Sequence, residues 1–518
     1  MTEMTASPFR PISMLFVMAA DSELLAFLEE IHELVVGCPD LLKWVDCDLD
    51  RHGLRKKALR QADAAWIAGR SGLLLPEGAA VSSTSDDKAA GLDRGRPRTP
   101  AYVVLVALLL RGFFGQGFKA SDVDMMMQES MTLRVFFANL GLNMPKRSTL
   151  TELVNAVSNA TRLRILDAQI AQIMRLGWDD FSTILQDSTH VAGNTAWPTD
   201  SGLVVSLVSR MLRIGATLSR VGLPVFKLPQ AEQHLGVLTT LNREISMLKG
   251  TKEQALQRRK KYSKVLWRAR RVLRMLRDAI AQVDKALISL DALPSRRVMA
   301  ERVVQRLHSD VDALTQVIAN CDARVMHEQK IAIANKKLSI SDEDAGFIAK
   351  GQRDPVIGYK PQLARSGAGF VVGLQLPKGN AADSQQLIPM VQEVINRTTV
   401  VPKIVSVDDG YASQENKDTL RAKGIEVVSI SGSKGRALTA DDDWNSDQYI
   451  LARDKRSAVE SLMFTLKQGF DFGEVARRGL DNVYGELLEK VLAYNICRTA
   501  RIRATENLDK EMTSVQAA

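Results

Sequence analysis

Two aspartates are the residues of this chain best placed for chemistry. Asp187 closes the run Ser-Thr-Ile-Leu-Gln and Asp408 closes Pro-Lys-Ile-Val-Ser-Val, and each run predicts a short buried strand. Carboxylates at strand ends suit hard divalent cations, which prefer oxygen ligands. In phosphodiester cleavage, two such ions about 4 Å apart activate the attacking oxygen and stabilise the leaving oxygen.

A third carboxylate lies in a predicted helix. Glu460 follows Arg456 by one turn and precedes Lys467 by two turns, so the three side chains share one helix face. Two strand-end carboxylates and one helical carboxylate predict a two-metal site. Arg456 and Lys467 would then contact DNA phosphate, or they would only form ion pairs with Glu460 on the helix surface.

These motifs resemble a known family of enzymes. Asp187-Ser-Thr, Asp408-Asp-Gly-Tyr411 and Arg456-x3-Glu460-x6-Lys467 are similar to the catalytic core of bacterial insertion-sequence DDE transposases. The resemblance extends from about residue 94 to about residue 500 and is closest to the ISNCY-like group. It is carried further by four segments, namely Gly95-Arg-Pro-Arg, Lys146-Arg-Ser-Thr-Leu, Trp197-Pro-Thr-Asp-Ser-Gly-Leu and, more loosely, Gly379-Asn-Ala-Ala-Asp383.

The resemblance implies a fold and an activity. The fold class is α/β, with an RNase H-like mixed sheet as the catalytic core, a long helical insertion and an all-α N-terminal region. Asp187, Asp408 and Glu460 would be the catalytic residues and would bind Mg²⁺, with Mn²⁺ as a substitute. The enzyme would cleave the ends of a mobile element and transfer them into target DNA. Its partners would be these double-stranded DNAs and a second copy of the chain in a synaptic homodimer.

Two positions depart from this pattern or leave it open. Many relatives have a tyrosine three residues before the arginine of the helical motif, where this chain has Arg453. Asp408 and Asp409 are adjacent and would point to opposite faces of a continuing strand. The pattern Asp-x-Gly-Tyr favours Asp408 as the ligand.

Composition narrows the class of protein. The 518 residues are 45% apolar and 25% charged, which is typical of a folded protein with two or three domains. The formal net charge of +9 favours a polyanionic partner. The four cysteines are widely spaced and predict neither a disulfide framework nor a zinc finger. We expect no membrane span, because the most apolar run covers only about half of the ~20 residues needed, and we expect a cytoplasmic, nucleoid-associated location.

Apolar periodicity and changes of composition predict the domain boundaries. Residues 1–98 are a helical segment with a basic linker, and residues 99–178 are a helical domain for binding DNA ends or for dimerisation. The catalytic core comprises residues 179–202 and 338–504, interrupted by a helical basic insertion at 203–337. In this core, residues 355–364 and 367–376 can form a hairpin and residues 403–407 supply the next strand, an order that would bring Asp187 and Asp408 onto neighbouring central strands. Residues 505–518 are a tail.

Two basic segments are candidates for DNA contact. Arg94 and Arg96 flank a glycine before Pro97, as in arms that enter the minor groove, although a plain linker has the same composition. Residues 241–310 contain about 18 Lys and Arg against about 7 Asp and Glu. The predicted contacts there are four consecutive cations, Arg258, Arg259, Lys260 and Lys261. A solvated helix face or a coiled coil is the alternative.

Two other functions stay open. The chain would be a non-catalytic DNA-binding protein derived from a transposase, or an RNase H-like nuclease without strand transfer. An intact set of three carboxylates argues against the first, because a protein that only binds DNA gains nothing from negative charge facing the phosphates.

Overall fold

The computed structural model describes residues 18–71, 98–114, 120–143, 146–248, 251–349 and 354–517. They form two compact units. Unit 1 comprises residues 1–52, 97–194 and 344–518, and unit 2 comprises residues 53–96 and 195–343. Arg94 and Arg96 lie outside the described residues.

The described strands form two sheets in unit 1. They are β1 (Thr183–Ser188), β2 (Val191–Ala192), β3 (Gly346–Ile348), β4 (Val356–Tyr359), β5 (Gln362–Ser366), β6 (Val371–Gln375), β7 (Ile404–Val407) and β8 (Val427–Ile430). The larger sheet has the order β6-β5-β1-β7-β8, and the smaller has the order β2-β4-β3. In the larger sheet β7 is parallel to β1 and β8, whereas β5 is antiparallel to β1 and β6.

Along the chain, helices of unit 1 both precede and follow these strands. They are α1 (Met18–Gly37), α2 (Asp40–Ser71, which continues into unit 2), α3 (Ala101–Phe113), α4 (Ala120–Glu129), α5 (Met131–Asn139), α6 (Arg147–Ala156) and α7 (Asn159–Arg175) before β1. In unit 2 follow α8 (Asp200–Thr217), α9 (Pro229–Ser246), α10 (Lys252–Ile288) and α11 (Pro294–Cys321). Unit 1 resumes with α12 (Leu387–Thr398), α13 (Gln414–Ala422), α14 (Ser433–Ala437), α15 (Asp441–Trp444), α16 (Asp447–Lys455), α17 (Ser457–Gly469) and α18 (Leu480–Ala517).

The central strand β1 is buried at every position, as expected for a strand covered on both faces. Its neighbours β5, β6 and β7 are also largely buried. Helix α3 is buried along its whole length and packs against α18. The most apolar run of the sequence is therefore a core helix of unit 1.

Two predicted boundaries differ from the structure. The segment 355–364 was expected to be one strand of a hairpin, but it divides into β4 and β5, which belong to different sheets. Pro361 lies at the division and has no N–H for a sheet ladder. The hairpin itself is formed by β5 and β6. The last helix was expected to end near Ala504, but α18 continues to Ala517.

Unit 2 is helical in its described part. Helices α8, α9, α10 and α11 enclose a core that includes Val208, Leu238, Leu276 and Leu314. By length and composition, the stretch Asp200–Val221 is long and apolar enough to cross a membrane. This is weak evidence, because α8 buries its apolar face in the unit 2 core, and core helices pass the same test.

Candidate active site

The ends of β1 and β7 bring Asp187 and Asp408 to the same edge of the sheet. The strands are parallel, and Leu185 lies opposite Ser406. Continued two residues beyond this last paired position, the register would set Asp187 level with Asp408, which directly follows β7. Neighbouring strands are about 4.8 Å apart, so the two residues are adjacent. The prediction that these aspartates follow neighbouring central strands is confirmed.

Backbone N–H groups orient both carboxylates. Oδ1 of Asp187, which is buried, accepts a hydrogen bond from the N–H of Ser188 at 2.6 Å. Oδ1 of the half-buried Asp408 accepts one from the N–H of Gly410 at 2.9 Å. Each aspartate is thus held by the chain that directly follows it, at the end of a rigid strand.

Asp409 has a different environment from Asp408. Its Oδ1 accepts hydrogen bonds from the N–H groups of Lys434 at 2.8 Å and Gly435 at 3.0 Å. These groups belong to the first turn of α14, where N–H groups have no partner within the helix. Asp409 therefore anchors α14 to the end of β7, while Asp408 accepts a hydrogen bond from Gly410.

Tyr411, the last residue of the Asp408 motif, lies buried beneath the aspartates. Its hydroxyl donates a hydrogen bond to Oε1 of Gln362. Burial raises the pKa of Tyr411 well above its usual value, and the nearby charges of Asp383, Asp187 and Asp408 raise it further. The hydroxyl therefore stays protonated and serves as a donor.

Asp383 is a third aspartate at this edge. It accepts hydrogen bonds from Lys360 Nζ at 2.9 Å and Gln362 Nε2 at 2.8 Å, and also bonds the Ser188 hydroxyl. Burial alone would raise the pKa of Asp383, but the hydrogen bonds from Lys360 and Gln362 outweigh burial and lower it. The carboxylate is therefore charged and fixed.

Gly410 lets Asp383 and Asp408 approach each other. A Cβ atom on Gly410 would lie 3.0 Å from Oδ1 of Asp408 and 3.3 Å from Oδ2 of Asp383. Oxygen atoms of the two carboxylates thus converge on the same small residue. Sequence reasoning did not assign Asp383 to the site; its only signal was the loosely similar stretch Gly379-Asn-Ala-Ala-Asp383.

Glu460 lies in the first turn of α17. This helix packs against β1 and buries Val459, Leu462 and Leu466. The Glu460 side chain is 57% exposed, and its Oε1 accepts a hydrogen bond from Arg456 at 2.6 Å. The predicted ion pair is therefore present, and Lys467 lies two turns further along the helix, half-buried.

Arg453 replaces the tyrosine expected from relatives, and it stacks on an aromatic ring. Its guanidinium lies 4.7 Å from the centre of the Trp444 ring, and Arg436 lies 5.4 Å from the same ring. Trp444 is thus used in packing between α14 and α16. Tyr449 supplies an aromatic hydroxyl nearby, which accepts a hydrogen bond from the N–H of Ile430 at the end of β8.

The donor chemistry of the predicted site residues fits a divalent cation. Within the described ranges, no three His, Cys, Asp or Glu side chains form a group that could hold a metal ion. Asp187 and Asp408 nevertheless offer hard oxygen ligands from adjacent strand ends. Glu460, whose Oε1 accepts from Arg456, is the third carboxylate predicted to join them.

The four consecutive cations predicted to bind DNA lie on α10 of unit 2. Three of them contact acceptors within that unit: Arg258 bonds the Leu248 carbonyl at 2.7 Å, Arg259 bonds the Met326 carbonyl at 2.6 Å, and Lys261 bonds Glu244 at 2.6 Å. Lys260 is exposed. Residues adjacent in sequence project in different directions from a helix, which explains why the four do not share a face.

Comparison with known proteins gives one match. No curated protein and no solved structure matches the chain. Residues 321–496 match the family described as Transposase DDE domain. The matched range contains Asp408 and Glu460, whereas Asp187 precedes it. The match supports a DDE transposase, a type of enzyme that acts on DNA and generally uses divalent metal ions.

Proposed function

We propose that this chain is the transposase of a bacterial insertion sequence, of the ISNCY-like group, with an RNase H-like core. It cleaves the ends of its mobile element and transfers them into target DNA. The observation that supports the proposal is that β1, which contains Asp187, and β7, which Asp408 directly follows, are adjacent parallel strands. The family match over residues 321–496 supports the same activity. The mixed strand order β6-β5-β1-β7-β8 supports the RNase H-like core.

Asp187, Asp408 and Glu460 would hold the metal ions, Mg²⁺ or Mn²⁺. When bound, these ions activate the attacking oxygen and stabilise the leaving oxygen. The chain's own contribution is positioning, because backbone N–H groups orient both aspartates before substrate arrives. Arg456 lies beside Glu460, and Lys467 lies further along the same helix. In this proposal both cations would contact the scissile phosphate.

The remaining assignments follow from the activity. The partners are double-stranded DNA, both element ends and target, and a second copy of the chain in the synaptic complex. The location is cytoplasmic, with the nucleoid. The rival functions are a non-catalytic DNA-binding protein and a nuclease without strand transfer, and both differ from a transposase in the products they form.

Cleavage and joining assays test this function. The substrate is DNA carrying the repeats that flank the coding region, incubated with Mg²⁺ or with a chelator. Wild type is compared with Glu460→Gln and with Asp454→Asn, an exposed acid on the preceding helix. We expect metal-dependent nicking and joining, lost only in Glu460→Gln. Binding without cleavage in all proteins would favour the non-catalytic rival, and nicking without joining would favour the nuclease.

Asp383 positions the two aspartates in this proposal. It bonds Lys360, Gln362 and Ser188, and Gln362 in turn bonds Tyr411, so one half-buried carboxylate connects the ends of β1 and β7. Removing it should loosen both metal ligands without touching DNA. Changes to such supporting groups typically cost 10–100-fold in metal affinity or activity.

We therefore expect Asp383→Asn to raise the Mn²⁺ concentration needed for half-maximal binding by about 10-fold or more. Free Mn²⁺ is measured by electron paramagnetic resonance in the absence of DNA. The affinity for DNA should be unchanged. Wild-type Mn²⁺ affinity in Asp383→Asn would refute the positioning role, while leaving the proposed catalytic aspartates untouched.

A further inference from the structure

Helix α10 of unit 2 carries a row of exposed cations interrupted by one tryptophan. The row consists of Lys260, Lys264, Trp267, Arg271 and Arg274, and is named here the α10 stripe. These positions follow each other by three or four residues, so they lie on one helix face. The opposite face buries Val265, Ala269, Val272 and Leu276 in the unit 2 core. The stripe is therefore the outward face of a firmly packed helix.

The cations of the stripe are available to a partner. Across the described part of the chain, Lys260, Lys264, Arg271 and Arg274 form no ion pair, and all four are exposed. Other cations of the same helix are engaged: Arg270 bonds Asp322 at 2.8 Å. These four cations thus form no direct ion pair with a described carboxylate, although Glu244, the partner of Lys261, also lies within electrostatic reach of Lys264.

Trp267 orders the centre of the stripe. Its ring is 53% exposed and lies edge-on to His234 of α9, with ring centres 5.8 Å apart. The guanidinium groups of Arg268 and Arg271 lie 5.3 and 5.6 Å from the ring centre. Such cation–π contacts restrict arginines without neutralising them.

The length of the stripe fits a nucleic-acid backbone. Lys260 and Arg274 are separated by about 21 Å along the helix axis, which equals about six base-pair steps of duplex DNA. Charge and spacing both match a row of phosphates. Of the four consecutive cations predicted from sequence, only Lys260 belongs to the stripe, because Arg258, Arg259 and Lys261 bond acceptors within the unit.

We propose that the α10 stripe is a binding surface for the phosphate backbone of duplex DNA. This inference rests on the proposed function, because it assigns to unit 2 the binding of the DNA that unit 1 would cleave. Lys264, Arg271 and Arg274 neutralise phosphates, and Trp267 holds Arg271 in place. Contacts of this type bind without sequence preference.

The test measures DNA affinity as a function of salt. Fluorescence anisotropy follows a labelled duplex with the flanking repeat and an unrelated duplex of equal length. The stripe variant replaces Lys264, Arg271 and Arg274 with alanine. The matched control replaces Arg270, Arg277 and Arg297 of unit 2, which bond Asp322, Thr315 and Glu301. Both variants lose the same charge, so net charge alone cannot distinguish them.

We expect the stripe variant to bind both duplexes on the order of 100-fold more weakly near 0.1 M salt, with the salt slope reduced by about three. The control variant should stay close to wild type. Arg271→Lys with Arg274→Lys should keep the salt slope, since charge is retained. Equal losses in the stripe and control variants, or wild-type binding by the stripe variant, would overturn the proposal.

The two proposals fail in different ways. If the wild-type protein binds DNA but never cleaves it, and only the stripe variant loses binding, the binding surface is supported and the transposase activity is refuted. If the wild-type protein cleaves DNA and the stripe variant binds DNA normally, the binding surface is refuted and the transposase activity is supported. A loss confined to single-stranded or gapped DNA would also overturn a duplex-backbone surface and would instead assign Trp267 to stacking on unpaired bases.

Discussion

Asp408→Asn is expected to lower the rate of DNA cleavage by about 1000-fold, whereas Asp409→Asn leaves it within about tenfold. Loss of a metal ligand removes several kcal/mol of transition-state stabilisation, and each 1.36 kcal/mol corresponds to a factor of ten. Asp187→Asn should resemble Asp408→Asn, because the two aspartates lie at the ends of adjacent parallel strands. The measurement is single-turnover cleavage of end DNA in Mg²⁺.

Asp409→Asn is a matched control for Asp408→Asn. It removes one charge from the adjacent residue, but an asparagine oxygen can still accept from the N–H groups of Lys434 and Gly435. DNA affinity should be similar in both variants. Loss of cleavage in Asp409→Asn with full activity in Asp408→Asn would show that the ligand is the second aspartate of the pair.

The strands that carry these aspartates were predictable from sequence. Each is a short apolar run that ends in a carboxylate, and buried parallel strands are strongly patterned in this way. Their pairing is confirmed. The roles of Asp187, Asp408 and Glu460 stay predictions until variants are measured.

The supporting network was not predictable, because its contacts join distant and polar residues. Gln362 reaches the site through its antiparallel register opposite Ser188. The sequence pattern predicts that Lys360 and Pro361 lie inside one long strand. In the structure they lie between β4 and β5, which belong to different sheets. No local pattern shows that Asp383 would meet these side chains.

The basic insertion illustrates a different limit. Composition correctly indicates an excess of positive charge, but it does not distinguish cations that bond within the unit from those that face solvent. Four consecutive cations in a sequence suggest one binding surface, although adjacent residues of a helix project in different directions. The evenly spaced residues from Lys260 to Arg274 form a continuous face and are less conspicuous in the printed sequence.

The largest effect on stability is expected at Glu489 of α18. This buried carboxylate bonds Arg162 of α7 at 2.5 Å and Arg477 at 2.6 Å. Burial alone would raise the pKa of Glu489, but Arg477, Arg162 and Arg111 outweigh burial and lower it. Glu489→Gln leaves two arginines without their counter-charge, and breaking a buried pair in this way costs about 3–5 kcal/mol. Urea unfolding at neutral pH measures the loss.

The pH dependence distinguishes lost charge from altered packing in Glu489→Gln. Because the folded-state pKa of Glu489 is lowered, its contribution is complete above the ordinary glutamate pKa of about 4.3 and disappears as pH falls through the lower folded-state value. The difference between wild type and Glu489→Gln should therefore be constant near neutrality and shrink in acid. Asp443→Asn, which removes an exposed ion pair with Arg421, should cost at most about 1 kcal/mol at any pH. A difference that persists unchanged in acid would mean that Glu489 stabilises the fold through its shape rather than its charge.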